Sequence, residues 1–229
     1  MTLWLSTVVR NEADRYLEKM LDCAEQMGAV VMASDDNSTD DTVKILEKYN
    51  AFVRINDGQP YWEHEGSFRQ RHLTWMDEYC TQGDWVIALD ADETISEPDV
   101  VSNLIHQAEL LNLPAVSFAL HEFWNETDYR VDGYWFGSTS PILYKWQPGG
   151  VIRPLPMGSG REPTYVQNLP RTSWFHQTRC IWMHWGYARA EDRVRKHHLY
   201  TTREGGHGHN SVHVNSIIDE NPMLRTWTG

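Results

Sequence analysis

The sequence predicts an α/β protein with a doubly wound, mostly parallel β-sheet and an irregular, antiparallel second half. Between residues 1 and about 120, short apolar runs rich in β-branched residues alternate with segments of helical spacing, as in strands joined by crossover helices. From about residue 121 this alternation stops. A segment rich in Trp, Gly and Pro follows, with turn signals at Asp132-Gly133 and Gly149-Gly150. The 229 residues suffice for one domain with a sizeable core and are few for two.

The elements of the first half follow one another regularly. Leu17, Met20, Leu21 and Ala24 share one face of a predicted helix, and Gly28 ends it. Strands are expected at residues 3–9, 29–33, 51–55, 85–89 and 115–120. Helices are expected at residues 12–27, 68–79 and 98–111, and after an N-cap at Ser38 or Thr39. Later in the chain, residues 187–200 are expected to form a helix rich in Arg and His, and residues 205–229 a flexible tail.

Charge and cysteine usage narrow the classes of function. The net charge is −12, with 32 acidic against 20 basic residues, which disfavours nucleic-acid binding. An acidic enzyme that handles a diphosphate would need a cation, so metal dependence is expected. The three cysteines, Cys23, Cys80 and Cys180, are widely spaced and show no paired spacing of the kind found in disulfide frameworks or zinc sites. This favours a reducing compartment. The first nine residues have no basic n-region and are expected to form a strand rather than a signal peptide. No apolar run of about 20 residues occurs in the sequence, and a cytoplasmic protein without a transmembrane segment is expected.

The strongest motif is Asp90-Ala91-Asp92-Glu93, directly after the predicted strand 85–89. Two carboxylates at this spacing can converge on a hard cation such as Mg²⁺ or Mn²⁺. An acidic turn that caps the helix beginning at Pro98 is the simple alternative. Asp90, Asp92 and Thr94 also fit the nucleophile loop of haloacid-dehalogenase-like phosphatases. Against that fold, three strands precede the loop and no second acidic pair closes a later apolar strand.

A second acidic motif, Asp35-Asp36, follows the predicted strand 29–33. A carboxylate at a strand end can accept hydrogen bonds from a base edge or a ribose hydroxyl. Ligands of such sheets bind at the carboxyl ends of the strands, so both acidic motifs should meet at one edge. The alternative is a well-capped helix, which is the interpretation we adopt for Asp40 and Asp41.

Three segments together resemble glycosyltransferase family 2, whose members have the GT-A fold, and within it bacterial enzymes that decorate lipopolysaccharide or other surface glycans. The resemblance covers residues 1 to about 120 well and the remainder loosely. The segments are Val9-Arg10-Asn11-Glu12, the acidic run from Asp35 to Thr42, and the segment from Gly83 to Glu93.

The resemblance implies a role for each matching residue. Asp36, with Asp35, Glu12 and the backbone near Val8, would bind the nucleotide. Asp90 would contact the ribose or the metal. Asp92 would bind the Mn²⁺ or Mg²⁺ that bridges the donor diphosphate. Arg69 occupies a position where related sequences often carry a basic residue near the donor; as an alternative, Arg69 is a solvated helix residue.

The second half supplies the remaining candidates. Glu162, between Gly160 and Pro163, is the candidate catalytic base, although the same loop also fits a surface turn. His184 is a candidate metal ligand by resemblance, because GT-A enzymes often present a late histidine to the metal; a hydrogen-bonded core histidine is the alternative. Other candidate bases are Glu126, Asp128 and Asp132. The basic residues Arg189, Arg193, Arg195 and Lys196 would close over the diphosphate or the acceptor.

The resemblance therefore implies one GT-A domain: residues 1–120 bind the nucleotide sugar, residues 121–204 face the acceptor, and residues 205–229 form the tail. Its activity would be metal-dependent transfer of a sugar from a nucleotide-sugar donor to a glycan or other hydroxyl acceptor, with inversion. Two further alternatives have less support. Nucleotidyl transfer lacks a Gly-rich phosphate loop after the first strand, and a Trp-rich sugar-binding protein has little use for acidic loops after parallel strands.

Overall fold

A computed structural model describes residues 1–156, 158–202 and 211–229. The strands are β1 Leu3–Val9, β2 Val30–Asp35, β3 Phe52–Ile55, β4 Trp85–Ala88, β5 Glu93–Ile95, β6 Ala115–Glu122, β7 Asp128–Arg130, β8 Thr139–Lys145, β9 Trp174–His176, β10 Trp182–His184 and β11 Leu224–Thr226. The helices are α1 Leu17–Met27, α2 Thr42–Lys48, α3 Glu65–Met76, α4 Val101–Leu110, α5 Thr164–Gln167, α6 Ala190–Thr202 and α7 Ser211–Ser216.

One sheet runs through most of these elements, in the order β3-β2-β1-β4-β8-β6-β10-β5, with β9 beside β6. Strands β3, β2, β1 and β4 are parallel. Strand β8 enters antiparallel to both β4 and β6, and β5 runs antiparallel to β10. The prediction of a mostly parallel first half followed by antiparallel strands is confirmed.

Helices cover both faces of the sheet. Alternating residues of each strand point to opposite faces, so Leu5 and Ile87 pack with α1 and α4, while Trp4 and Val86 pack with α3. Every one of these four side chains is buried. This double cover leaves the ends of the strands, rather than the faces, open to a ligand.

Several predicted boundaries shift. Helix α1 begins at Leu17 rather than residue 12, because residues 12–15 form a turn closed by the Arg15 amide on the Glu12 carbonyl oxygen. Helix α3 begins three residues early, where the His64 side chain accepts a hydrogen bond from the Ser67 amide. The predicted cap at Ser38 or Thr39 is wrong, since α2 starts at Thr42 and Ser38 bonds to Asp35 instead.

The C-terminal part adds two elements to the fold. Strand β11 pairs antiparallel with β7, and α7 precedes it. Within the expected tail, residues 205–210, which include His207 and His209, lie outside the described residues. Among the helices that the structure describes, none is long and apolar enough to cross a membrane.

Candidate functional site

The carboxyl ends of β1, β2 and β4 open into a cleft of about 640 Å³. The register explains why these ends meet, because Val9 lies opposite Asp35 and Ser6 lies opposite Ala88. Segments of the second half complete the walls: the end of β6, residues 158–161, β10 and α6. Predicted site residues that line the cleft are Glu12, Asp36, Arg69, Asp90, Asp92 and His184.

Two asparagines turn the chain at this edge of the sheet. Asn11 and Asn37, which follow β1 and β2, have φ values of 53° and 57°, a left-handed conformation that Asn tolerates better than most residues. The Asn11 side chain accepts a hydrogen bond from the Thr39 amide at 2.8 Å, and the Asn11 amide donates to Ser38 Oγ at 2.9 Å. These hydrogen bonds join the segment Val9–Glu12 directly to the acidic run that begins at Asp35.

Asp35 and Asp36 have different environments. Asp35 points away from the cleft and accepts hydrogen bonds from the amide and hydroxyl of Ser38. Asp36 lines the cleft, where its carboxylate accepts from Asn56 Nδ2 at 2.7 Å and from the Tyr61 amide at 3.1 Å. The structure therefore places Asp36 in the cleft and gives Asp35 the task of holding the turn.

Beside Asp36 the wall is aromatic and basic. The Arg10 guanidinium lies 3.8 Å from the centre of the Trp62 ring, and it also donates to the Asp36 carbonyl oxygen at 3.0 Å. Trp62 is exposed and lines the cleft. A flat, exposed ring beside hydrogen-bonding groups suits the stacking of a planar base.

Glu12 lines the same cleft. Its two carboxylate oxygens each accept a hydrogen bond of 2.8 Å from Arg15 Nη1. Burial raises the pKa of Glu12 to about 7, although Arg15 opposes the shift. Arg15 also reaches Asp192 on α6 at 3.2 Å, so this pair ties the end of β1 to the last long helix.

Asp90 is held between two guanidinium groups. Arg69 Nη2 lies 3.4 Å from Asp90 Oδ1, and Arg161 Nη2 lies 3.5 Å from Oδ2. Burial raises the pKa of Asp90, but Arg161 and Arg69 outweigh it and the pKa is lowered. Arg69 is buried and bonded to Glu65 at 2.9 Å, which excludes the alternative of a solvated helix residue.

Asp92 and His184 come together where β10 meets β5. His184 Nε2 lies 3.4 Å from Asp92 Oδ2, and the Trp185 amide donates to the Asp92 carbonyl oxygen at 2.8 Å. The other ring nitrogen of His184 bonds to Glu122, its neighbour in the parallel register of β6 and β10. Burial lowers the pKa of His184, yet Glu122 and Asp92 outweigh it and raise the pKa to about 10.

A divalent cation fits the pair Asp92 and His184, where it would take the place of the proton that His184 holds at neutral pH. A carboxylate oxygen and an imidazole nitrogen face each other, and a carboxylate orients the second ring nitrogen, as is usual for metal-bound histidines. Asp90 does not join them, because its oxygens face Arg69 and Arg161. Across residues 1–156, 158–202 and 211–229, no three His, Cys, Asp or Glu side chains are placed to hold an ion.

Glu162 lies behind the cleft wall rather than on it. Its neighbours Gly160 and Arg161 line the cleft, and its own carboxylate has Arg161 Nε at 4.0 Å. Burial raises the pKa of Glu162 and Arg161 opposes the shift. The other candidate bases lie elsewhere: Asp128 bonds to Thr226 at 2.7 Å, and Asp132 pairs with Arg130.

Glu122 and Arg161 are two residues of the site that their local sequence does not identify. Arg161 stands next to Glu162, but nothing in its local sequence indicates that it spans to Asp90 and Glu93. Glu122 ends β6 and lies two residues beyond the predicted strand 115–120. Its contact with His184 depends on the pairing of β10 with β6, which local sequence does not encode.

Comparison with solved structures agrees with this architecture. S. aureus TarS 1-349 in complex with UDP matches with a TM-score of 0.53 and 14% identity, over 95% of this chain and 70% of that chain. The complex with UDP-GlcNAc gives 0.51 over the same shares. The chain has the GT-A fold. A GT-A sheet is not that of haloacid-dehalogenase-like phosphatases, so the phosphatase alternative is excluded on fold.

The GT-A likeness is one of fold, since identity is only 14%. A longer TarS structure matches with a TM-score of 0.53, and this chain spans 42% of it. No protein-family model and no curated protein matches the sequence.

Proposed function

We propose that this chain is a metal-dependent glycosyltransferase that moves a sugar from a nucleotide-sugar donor to a glycan or other hydroxyl acceptor with inversion. The observation that carries the proposal is the pairing of Asp92 and His184 among the basic side chains of a GT-A cleft. Such a site suits a divalent cation and a diphosphate together. TarS, which has the same fold, is known in complex with UDP-GlcNAc.

The donor is proposed to lie along the cleft. The nucleoside would stack on Trp62 and lie beside Arg10 and Asp36 at the end of β2. The diphosphate would lie near Asp92, where Arg15 and Lys196 supply positive charge. Residues 1–120 then bind the donor and residues 121–204 face the acceptor, within one domain.

Asp92 and His184 would hold Mn²⁺ or Mg²⁺, which when bound supplies Lewis-acid neutralisation of the departing nucleoside diphosphate. The guanidinium groups of Arg161 and Arg69 would also neutralise negative charge on the departing nucleoside diphosphate. Arg161 and Arg69 are fixed by Glu93 and Glu65, so they are oriented before the donor binds. Fixed charges of this kind stabilise developing negative charge without reorganisation.

Glu162 is the proposed base for the acceptor hydroxyl, which would have to reach it past Gly160 and Arg161 at the cleft wall. A base with a pKa raised towards neutrality takes up a proton more readily, and burial shifts Glu162 in that direction. The loop that carries it is tied to α3, because the Glu65 carboxylate accepts from the Gly158 amide at 2.6 Å and from the Ser159 amide at 3.3 Å. These bonds hold the loop against the cleft.

Thermal shift with a panel of nucleotide sugars tests the binding part of the proposal. We expect a nucleotide sugar to raise the melting temperature more with Mn²⁺ or Mg²⁺ than with a chelator. Asp92→Ala should abolish the metal-dependent part, while Asp99→Ala, an exposed aspartate outside the cleft, should keep it. No shift with any nucleotide sugar, with or without metal, would show that the proposed function is wrong.

A transfer assay tests the catalytic part. Glu162→Gln should retain donor binding and lose transfer, because the amide cannot accept the acceptor proton. Glu47→Gln, at an exposed position on α2 outside the cleft, is the matched control and should retain both. Undiminished transfer by the Glu162→Gln variant would remove Glu162 as the base.

A further inference from the structure

Lys196 extends from α6 to the pair formed by Asp92 and His184. Its Nζ lies 3.2 Å from Asp92 Oδ2 and 3.5 Å from His184 Nε2. The side chain is only 12% exposed, and Nζ lies 4.4 Å from the centre of the Tyr187 ring. The ammonium thus contacts the same two atoms that a metal ion would use.

Gly186 closes the space around these atoms. A Cβ atom at this position would collide with Lys196 Nζ, Asp92 Oδ2 and His184 Nε2 alike. The three groups therefore converge on one small volume that even a methyl group cannot share. The local structure accommodates one cation there.

A metal ion and the ammonium compete for this volume. An ion bonded to a carboxylate oxygen lies about 2.1 Å from it, well inside the distance at which Lys196 Nζ now stands. The metal ion carries two positive charges and the ammonium carries one. Both would lie in a part of the cleft that is shielded from solvent, where their repulsion is screened little. Occupancy by one cation thus opposes occupancy by the other.

We propose that Lys196 is a displaceable internal counter-ion, which neutralises Asp92 in the ligand-free protein and moves to the donor diphosphate when the metal binds. The inference rests on the proposed function, because it takes Asp92 and His184 as the metal site. It gives the carboxylate of Asp92, which is 13% exposed, a positive partner when no metal ion is bound. It also links the two ligands, since the diphosphate gives the displaced ammonium a new partner and so favours metal binding, and the reverse holds by linkage.

Mn²⁺ binding to the full chain, measured from the electron paramagnetic resonance signal of free Mn²⁺, tests this inference without any turnover. In the absence of nucleotide, Lys196→Met and Lys196→Gln should each bind Mn²⁺ at least tenfold more tightly than the unmodified protein. Lys196→Gln retains a hydrogen-bond donor towards Asp92, so it serves if the methionine variant folds poorly. With saturating uridine diphosphate the advantage of both variants should shrink, because the displaced lysine is then missing from the diphosphate.

Arg195→Met is the charge-matched control. Arg195 belongs to the same helix and lines the same cleft, but it is 53% exposed and its ion pair is with Asp192. Its removal takes away the same charge without vacating the metal position. We expect less than a threefold change in Mn²⁺ affinity.

The possible failures can be told apart. Equal tightening in the Lys196 and Arg195 variants, or none in either, would overturn the inference while leaving nucleotide-sugar binding intact. Mn²⁺ binding by none of the proteins, together with metal-free donor binding, would overturn the inference and the metal site. Loss of all nucleotide-sugar binding, with and without Mn²⁺, is the separate outcome that overturns the proposed function.

Discussion

Replacing Arg161 by Met should destabilise the protein strongly, because Arg161 neutralises the buried carboxylate of Glu93 and also lies beside Asp90. Its guanidinium bonds to Glu93 and lies 3.5 Å from Asp90. The exposed fractions are 18% for the Arg161 side chain, 3% for Glu93 and 33% for Asp90. Methionine keeps an apolar stem near the Trp182 ring, so the change removes charge more than packing.

The magnitude follows from the burial of Glu93. Removing one partner of a buried ion pair costs about 3–5 kcal/mol, and Asp90, which is 33% exposed, adds little because water screens it. Proton uptake limits the loss: burial already raises the pKa of Glu93 to about 7, and without Arg161 it rises further. We therefore expect about 3 kcal/mol at pH 8, the lower end of that range, or roughly 6–12 °C in melting temperature for a chain of this length.

Glu93 also determines the direction in which the stability of the protein changes with pH. A folded-state pKa above 4.5 means that the folded protein binds the extra proton, so this contribution to stability is lost as the pH rises through the raised pKa. In the Arg161→Met variant the pKa of Glu93 is higher still, so its stabilising contribution continues to fall above pH 7. The destabilisation should therefore be larger at pH 8 than at pH 5.5.

Scanning calorimetry at the two pH values checks these expectations. The double variant Arg161→Met with Glu93→Gln should recover more than half of the loss at pH 8, since no buried charge is then left alone. Arg179→Met is the control, because its pair with Glu97 is 64% and 41% exposed and such pairs contribute about 0–1 kcal/mol. A shift no larger than that of the control, or no rescue by Glu93→Gln, would refute the reasoning.

Three further changes test other parts of the structure. Burial raises the pKa of Glu12 to about 7, so folding stability should fall as the pH rises from 4.5 to 7. Glu12→Gln should therefore reduce the difference in melting temperature between pH 5 and pH 7.5. An unchanged difference would contradict this expectation. Gly66→Ala should lower the melting temperature by several degrees, because a Cβ would collide with the Arg153 carbonyl oxygen and such overpacking costs about 1–3 kcal/mol. Gly58→Ala, which meets only the end of a flexible side chain, should change it little. Trp62→Ala should weaken nucleoside diphosphate binding in calorimetric titration, since stacking on an aromatic ring contributes about 1–3 kcal/mol; unaltered affinity would exclude Trp62 from the base site.

Much of the fold could be predicted because the information is local. Each parallel strand of the first half is a short apolar run, and helices α1 and α4 have an apolar periodicity of their own. Strands β5 and β10 could not be found in this way. Each has three residues, and they form only because Glu93–Ile95 and Trp182–His184 pair across a long stretch of chain.

The same distinction separates the site residues. Asp36 and Asp92 were located from sequence because each follows a strand whose neighbours end at the same edge. His184 meets Asp92 only through the pairing of β10 with β5, for which the sequence offers resemblance but no physical signal. The orientation of Asp35 towards Ser38, away from the cleft, likewise depends on the turn that follows β2.

Charge shows how local pattern and tertiary structure combine. The chain has a net charge of −12, yet the cleft is lined by six Arg or Lys and seven Asp or Glu side chains among its described residues. Three of these carboxylates each hold one guanidinium: Glu12 holds Arg15, Glu65 holds Arg69 and Glu93 holds Arg161. Because each of those carboxylates is already paired with a guanidinium, it contributes to a diphosphate site by orienting that guanidinium. Asp92 differs, since its nearest partners are a displaceable lysine at 3.2 Å and a histidine at 3.4 Å, while the guanidinium of Arg15 stands at 4.0 Å. This difference makes Asp92 the carboxylate best suited to accept a metal ion.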